Sequence, residues 1–250
     1  MRLAVVADIH GNLDALQAVL PDLLRQSPDL VVNLGDCLSG PLWPLETADL
    51  LIDLNWLTIR GNHDRWLTTP PDPIGAWEAE ALPRLTPAHH TWLAALPPTA
   101  TIDNIFLCHA TPQDDLTYWL DAPLSTGEMV RADLTQIADR AGDLPQSLLL
   151  CGHTHIARAV RLLDGRMIVN PGSIGCPGYT DDSPWPHRAC AGTPYAAYAV
   201  LDRTPHGWAV AHRQIPYDTT RAVARAHADP DWSAALATGW IPAPQSWISM

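Results

Sequence analysis

Five short apolar runs in this chain end abruptly in residues that often bind metal ions, and this repetition restricts the fold more than any other feature. The five polar stretches are Asp8-Ile9-His10, Gly35-Asp36, Asn62-His63-Asp64, Cys108-His109 and Gly152-His153-Thr154-His155. Each follows a run that is typical of a buried β-strand. Ligands of open α/β sheets bind beyond the carboxyl ends of the strands, so we expect these side chains to converge on one site.

The first sixty residues alternate between strand and helix patterns. Strands are predicted at 3–7, 30–34 and 56–59, and helices at 12–26 and 44–54, with Asn12 as an N-cap and Pro44 in a first turn. This alternation predicts parallel strands. It therefore places Asp8, Asp36 and Asn62 at the same edge of one sheet.

The second half of the chain is richer in hairpin signals. Asp103-Asn104 separates strand-like runs at 99–102 and 105–108, and Asp164-Gly165 separates those at 157–162 and 167–169. Further strands are predicted at 148–151, 195–201 and 208–213, and further helices at 75–81, 87–95, 126–140 and 218–238. Two mixed sheets packed face to face and flanked by helices account for both halves. We therefore predict a four-layer α-β-β-α sandwich of the α/β class, in a single domain over residues 1–250 with a C-terminal helical extension at about 217–250.

Charge excludes some classes of partner. The net charge is −12, with only 15 Lys and Arg residues among 250, which argues against stable binding to nucleic acid or to an acidic membrane. No apolar stretch approaches the roughly 18–20 residues that span a bilayer. The chain starts with Met1-Arg2 and then a strand-like run, without a signal region, so we expect a cytoplasmic protein. A homo-oligomer is compatible with the sequence.

The five cysteines lack the Cys-x-x-Cys spacing of zinc or redox motifs, which predicts reduced thiols. Pairing of Cys176 with Cys190 stays open. The polar stretches instead combine carboxylate, imidazole and amide oxygen. This mixed ligand set suits Mn, Fe or Zn better than calcium, which prefers oxygen alone, or structural zinc, which prefers thiolates.

The five stretches, in this order, resemble the motifs of the calcineurin-like metallophosphoesterases, D-x-H, G-D, G-N-H-D/E, H and G-H-x-H. Asn170-Pro171-Gly172-Ser173 is similar to the small bacterial and archaeal phosphodiesterase branch. The resemblance implies two divalent metal ions, Mn²⁺ first, with Fe, Zn, Ni or Co as alternatives. It assigns Asp8, His10 and His155 to one ion and Asn62, His109 and His153 to the other, with Asp36 bridging them.

The resemblance also implies a mechanism. A hydroxide that bridges the two ions attacks phosphorus in line with the leaving group. His63 protonates the leaving oxygen or stabilises its charge, and Asp64 orients His63. Asn62, Asn12 and Arg65 are candidate phosphate contacts, although Asn12 is equally suited to cap a helix and Arg65 to form a surface ion pair.

The residues that follow Asp36 restrict the class of substrate that we expect. Related protein phosphatases and symmetrical dinucleoside tetraphosphatases carry Gly-Asp-x-x-x-Arg-Gly, whereas this chain has Gly35-Asp36-Cys37-Leu38-Ser39-Gly40-Pro41 and no arginine. We therefore expect a phosphodiesterase that acts on a small, nucleotide-like phosphate ester. The alternatives are a phosphomonoesterase, an asymmetric dinucleoside polyphosphate hydrolase, or a metal-binding scaffold without turnover. The Pro- and Gly-rich loop 175–194 is either a specificity loop, in which Tyr179 or Trp185 stacks on a base, or a surface excursion.

Overall fold

Two five-stranded mixed sheets form the centre of the protein in the computed structural model, which describes residues 1–242. The strands are β1 (Arg2–Val6), β2 (Leu30–Asn33), β3 (Leu57–Thr58), β4 (Thr99–Ile102), β5 (Ile105–Cys108), β6 (Asp121–Pro123), β7 (Met129–Arg131), β8 (Leu148–Leu150), β9 (Arg158–Arg161), β10 (Met167–Asn170), β11 (Gly178–Asp181), β12 (His187–Cys190), β13 (Ala196–Thr204) and β14 (Gly207–Ile215). The helices are α1 (Leu13–Gln26), α2 (Pro44–Leu54), α3 (Asn62–Thr68), α4 (Ala76–Ala81), α5 (Pro87–Ala95), α6 (Leu134–Ala141), α7 (Thr220–Arg225) and α8 (Pro230–Thr238), with a 3₁₀ turn at Leu82–Arg84.

Each sheet contains three neighbouring parallel strands. The first sheet has the order β14-β13-β1-β2-β3, in which β1, β2 and β3 run parallel. The second has the order β4-β5-β8-β10-β9, in which β5, β8 and β10 run parallel. All the predicted ligand residues follow the carboxyl ends of these parallel strands. Two small hairpins, β6–β7 and β11–β12, lie outside the sheets.

The core between the sheets follows from the alternation of side chains along each strand. Leu3 and Val5 of β1 point inward and pack with Leu107 of β5 and Leu150 of β8, all fully buried. Ala4 and its neighbours on the opposite face pack against helices instead. Burial of a Leu or Val side chain contributes roughly 1.5–3 kcal/mol, so this layer is a main source of stability.

Helices cover the outer face of each sheet. The apolar stripe of α1, with Leu16, Val19 and Leu23, packs on the first sheet together with α2 and α5. The side chain of Asn12 accepts a hydrogen bond from the backbone of Ala15, so the predicted N-cap of α1 is confirmed. Ile137 of α6 covers the second sheet. The predicted α-β-β-α sandwich is thereby confirmed.

Two local predictions were wrong, and one helix was missed. The helix predicted at 126–140 begins only at Leu134, where the side chain of Asp133 caps it, because the residues before it form the hairpin β6–β7. The loop at 175–194 contains the hairpin β11–β12. Helix α3 was not predicted at all. Cys176 and Cys190 are both free thiols, so the disulfide bond that the sequence left undecided is not formed.

The C-terminal extension is helical as predicted, with α7 and α8 separated near Asp229-Pro230. The fully buried Trp232 of α8 packs beside Leu42 and Cys176, which ties the extension to the sandwich. Positions 243–250 of the predicted extension lie outside the described residues. Within residues 1–242, no helix combines the length and the apolar character needed to cross a bilayer.

Candidate metal centre

Six of the seven predicted ligand residues form two groups of three at the carboxyl edges of the two sheets. The groups are Asp8, His10 and His155, and Asp36, His109 and His153. Within each group the ligand atoms lie within 4.8 Å of one another. Each group combines side chains that follow strands of both sheets, so the site exists only when the sandwich is assembled.

The backbone at this edge is strained. Five of the six residues have a left-handed conformation, with φ between 49° and 68°. They are Asp8, His10, Asp36, His153 and His155. This conformation costs roughly 1–2 kcal/mol for a residue other than glycine. Such strain persists only where the surrounding structure enforces it, and its concentration here is typical of a functional site.

Three histidines are held by the ring nitrogen that faces away from the centre. Nδ1 of His10 lies 2.8 Å from Ser39 Oγ, and Nδ1 of His109 lies 2.8 Å from the carbonyl oxygen of Leu34. Nδ1 of His155 lies 2.7 Å from the carbonyl oxygen of Cys176. A carbonyl oxygen only accepts, so Nδ1 of His109 and of His155 carries the hydrogen and Nε2 faces the centre.

The free nitrogens of the two groups converge on Asp36. The Nε2 atoms of His10 and His155 lie 3.2 Å apart. Asp36 Oδ2 lies 3.1 Å from His109 Nε2 in one group and 3.9 Å from His10 Nε2 in the other. Asp36 Oδ1 accepts a hydrogen bond of 2.9 Å from the backbone of His63. One carboxylate thus borders both groups.

The burial and the mutual interactions of the candidate ligands set their protonation states. Burial alone raises the pKa of Asp36, but the imidazoles of His109, His63 and His10 outweigh it and hold this pKa well below its usual value. Burial, together with neighbouring histidines, lowers the pKa of His10 well below normal and that of His153 to about 4. Burial lowers the pKa of His109 as well, but the Asp36 carboxylate outweighs it and raises this pKa to about 9. At neutral pH the metal-free centre therefore contains an ionised Asp36 beside a protonated His109 and the neutral imidazoles of His10 and His153, and binding of a cation releases the proton of His109.

Two polar atoms in the centre are buried without a hydrogen-bond partner among residues 1–242, and they supply the test of whether these residues fit a metal ion. They are Oδ1 of Asn62 and Nε2 of His109. His109 Nε2 is close to Asp36 Oδ2, yet the two atoms do not form a hydrogen bond with acceptable geometry. A buried acceptor without a partner costs about 1–3 kcal/mol, and a cation satisfies it. The donor set thus fits divalent ions, and Asn62 adds the seventh predicted ligand.

The predicted contact between Asp64 and His63 is not formed. The carboxylate of Asp64 instead accepts backbone hydrogen bonds of 2.8 to 3.0 Å from Asp36, Cys37 and Gly61. Asp64 therefore fastens the turn that carries Asp36 to the start of α3. Within residues 1–242, the hydrogen bonds of this carboxylate go to the backbone and none goes to His63.

Glu78 of α4 occupies the position predicted for Asp64. Its Oε1 lies 2.5 Å from Nδ1 of His63. Sequence reasoning missed Glu78 because it stands outside every motif, and nothing in Ala76–Ala81 distinguishes it from Glu80 two residues later. No sequence signal could have separated the two.

Two of the three predicted substrate contacts are engaged elsewhere. Both amide atoms of Asn12 are satisfied, since Oδ1 caps α1 and Nδ2 donates to the carbonyl of Gly175 and to Tyr217. Arg65 forms a two-pronged ion pair with Asp115, with both contacts at 2.8 Å. Both side chains therefore form the alternative contacts named above, a helix cap for Asn12 and an ion pair for Arg65. The Oδ1 atom of Asn62, the third predicted contact, remains available for a ligand.

A cavity of about 740 Å³ opens over the centre. Asp36, Asn62, His63, His153 and His155 form its floor. Its walls include four aromatic residues, Trp66, Trp77, Tyr118 and Tyr179. A volume of this size is typical of sites for small organic ligands.

The 175–194 segment forms part of this wall. Tyr179 and Asp181 of β11 line the cavity, whereas Trp185 at the tip of the hairpin is 53% exposed and lies outside it. The hydroxyl of Tyr118 donates to Asp181 Oδ2 at 2.9 Å, which anchors the hairpin to the wall. The segment is therefore more than a surface excursion.

Comparison with known proteins agrees with this geometry. Residues 1–185 match the sequence profile of the calcineurin-like phosphoesterase superfamily domain. A metallophosphoesterase from Sphaerobacter thermophilus has a similar structure, with a TM-score of 0.73 and 22% identity, over 96% of this chain and 99% of that one. A putative diadenosine tetraphosphatase has a TM-score of 0.51 and 19% identity, over 86% of this chain and 94% of that one. These two structures support the fold alone.

One curated relative matches a short stretch more closely. An uncharacterized protein of Methanocaldococcus jannaschii is 44% identical over 62 residues, which is 25% of this chain. The match spans only 26% of that relative's length. It adds no assignment of activity.

Proposed function

Because the chain belongs to the calcineurin-like phosphoesterase superfamily, we propose that it is a two-metal phosphodiesterase that hydrolyses a small, nucleotide-like diester. The observation that carries the proposal is the pair of ligand groups joined by Asp36 on the floor of the cavity. We propose Asp8, His10 and His155 as ligands of one ion and Asn62, His109 and His153 as ligands of the other, with Asp36 shared. Mn²⁺ is the proposed metal.

When bound, two divalent cations supply a Lewis acid for the phosphoryl group and a water of lowered pKa. The residues of the chain supply the remaining functions. Asn62 and the histidines hold the donor atoms in place, and Asp36 keeps its negative charge between the two groups. His63 lines the cavity with its Nδ1 occupied, so Nε2 is the atom that gives a proton to the leaving oxygen. Loss of such a donor lowers the rate by about 10²–10⁴-fold.

The cavity walls support a diester with a single phosphate rather than a polyphosphate. The chain contains no lysine, and Arg140 is the only arginine among the lining residues. The Nη1 atom of Arg140 donates to the backbone carbonyls of Tyr118 and Trp119. Asp181 lies on the same wall and repels additional phosphates, whereas the charge of Asp121 is compensated by its ion pair with Arg158. The aromatic side chains instead offer stacking surfaces for a base.

A substrate panel tests the proposal. The purified protein, loaded in turn with Mn²⁺, Zn²⁺, Fe²⁺, Ni²⁺ and Co²⁺, is assayed with bis(4-nitrophenyl) phosphate, 4-nitrophenyl phosphate, a cyclic nucleotide and diadenosine tetraphosphate. We expect the diesters to react fastest, with Mn²⁺ most effective. Preference for the monoester or the tetraphosphate by orders of magnitude would replace the proposal with a phosphatase or a polyphosphate hydrolase.

A variant pair separates catalysis from a metal-binding scaffold. His63→Ala should abolish most hydrolysis of the cyclic nucleotide, whose alkoxide leaving group requires a proton, without loss of bound metal. His90→Ala is the matched control, because His90 lies on α5 and does not line the cavity. If the metal-loaded protein hydrolyses no ester and the two variants behave like the parent, the chain is a scaffold.

A further inference from the structure

We propose that Glu78 is a positioning residue that holds the imidazole of His63 with Nε2 directed at the leaving oxygen. The inference rests on the proposed function of His63. It concerns a residue of α4, a helix that contributes no metal ligand. It gives one side chain of this helix, Glu78, a part in catalysis.

The contact between the two side chains is isolated and buried. Glu78 is 2% exposed, and its Oε1 lies 2.5 Å from Nδ1 of His63. Within residues 1–242, this is the only hydrogen bond that the Glu78 carboxylate forms. A buried carboxylate requires a partner, so the two groups depend on each other. Gly75 provides the space, because a Cβ there would overlap Oε2 of Glu78.

Aromatic rings restrict His63 on its other sides. Its ring stacks on Trp77 at 5.3 Å with an interplanar angle of 25°, and it meets the edge of Trp66 at 4.8 Å. With Nδ1 bound to Glu78, rotation of the ring would break the hydrogen bond and the stacking together. Nε2 is therefore the nitrogen that remains for the substrate.

The helix that carries Glu78 is itself fixed. Trp77 Nε1 donates to Asp229 Oδ2 at 2.9 Å, and its ring packs on Trp232 of α8 at 4.6 Å. The carbonyl oxygen of Trp77 accepts a hydrogen bond from the backbone of Gly40. The C-terminal extension thus supports the position of Glu78. Such support matters because a misplacement of about 1 Å in a catalytic group can cost roughly 100-fold in rate.

Glu78 acts through His63 and does not itself meet the substrate. It is absent from the residues that line the cavity, whereas His63 and Trp77 are among them. The carboxylate contacts Nδ1 of the histidine and does not line the cavity. This arrangement predicts an effect on proton donation, with no direct effect on binding.

Kinetics with two leaving groups test the role. A 4-nitrophenolate leaving group departs without a proton, whereas an alkoxide requires one. For an alkyl diester, Glu78→Ala should lower kcat by about 10–100-fold, as loss of an orienting partner typically does, with KM nearly unchanged. Glu78→Gln keeps an acceptor oxygen and should recover part of the rate. The nitrophenyl diester should lose less than about threefold.

Two controls make the result specific. Glu80→Gln changes an exposed glutamate on the same helix, which pairs with Arg84 at the surface, and should leave both rates unchanged. The double variant His63→Ala/Glu78→Ala should be no slower than His63→Ala, because residues that act as a unit are not additive. An equal loss with both leaving groups, or an additive double variant, would overturn the positioning role.

Spectroscopy separates this inference from the proposed function. In the zinc-loaded protein, ¹⁵N-edited NMR of the histidine side chains, assigned with His63→Ala, should show His63 protonated at Nδ1. Glu78→Ala should change that signal and Glu80→Gln should preserve it. If no ester is hydrolysed but the signal behaves in this way, the proposed function fails and the contact stands. If Glu78→Ala leaves the signal unchanged, the inference is wrong.

Discussion

Replacement of Asn62 by leucine should stabilise the metal-free protein and weaken the metal-loaded one. Asn62 is 2% exposed and its Oδ1 has no hydrogen-bond partner. Leucine has a similar branched shape and no polar atoms. The variant thus removes an unsatisfied acceptor from the metal-free protein and a proposed ligand from the loaded protein, so the two effects have opposite signs.

The magnitude follows from the buried oxygen. An unpaired buried acceptor costs about 1–3 kcal/mol, so metal-free Asn62→Leu should be more stable than the parent by about that amount. At roughly 2–4 °C per kcal/mol for a chain of this size, its Tm should rise by about 2–12 °C. Loss of a ligand that weakens binding about 10–100-fold removes about 1.4–2.7 kcal/mol of metal-induced stabilisation.

Thermal unfolding with and without Mn²⁺ measures both effects in one experiment. The matched control is Asn170→Leu, because Asn170 is equally buried but fully satisfied. Its Nδ2 donates to Gly152 at 2.7 Å and to Thr154 at 3.0 Å, and its Oδ1 accepts from Gly172. Asn170→Leu should therefore lower Tm in both states. If Asn62→Leu also lowers Tm of the metal-free protein, Asn62 is structural and the reasoning is refuted.

Three further predictions follow from the same contacts. Metal analysis after dialysis should show that Asp36→Asn loses both ions and His10→Ala mainly one; equal losses would contradict a shared Asp36. Arg65→Ala should leave kcat and KM for a diester within about threefold and cost about 1 kcal/mol or less, because Arg65 is paired at the surface. Hydrogen bonds from Arg213, and after it from Tyr198 and Arg25, lower the pKa of Asp22 from 3.8 to about 2. Its contribution, about 2 kcal/mol, is present above pH ~4 and is lost as the pH falls toward 2, so denaturant titrations of the metal-free parent should show a steeper acid loss than those of Asp22→Asn.

The sequence predicts this fold well where the signal is local. Helix α2 spans Pro44–Leu54, the range that its pattern and its first-turn proline predict. The hairpin at 99–108 follows from its Asp-Asn turn. The candidate ligand residues could also be predicted from the sequence. Each follows an apolar run that forms a strand, and the parallel topology brings the strand ends together.

The sequence predicts the structure less well where distant residues decide it. The hairpin β6–β7 replaces a predicted helix and is secured by the backbone of Arg188, which donates to Gly127 and bridges Glu128. Asn12 and Arg65 are occupied by partners far along the chain, Tyr217 and Asp115. No local pattern reports such contacts.

The same limit explains the error at His63. Its orienting carboxylate was assigned to the adjacent residue, Asp64, as part of the mechanism that the family resemblance implies. Glu78 lies fifteen positions later and reaches the ring only because α4 folds back over α3. The motifs predict the candidate metal ligands, whereas tertiary packing brings Glu78 to His63.

The most direct test of the account is a crystal structure of the Mn²⁺-loaded protein with anomalous difference maps. The account predicts two peaks roughly 3.5–4 Å apart, one beside Asp8 and His155 and the other beside Asn62 and His109, with the Asp36 carboxylate touching both. A single peak, or two peaks of which Asp36 touches only one, would contradict the claim that one carboxylate joins two metal sites.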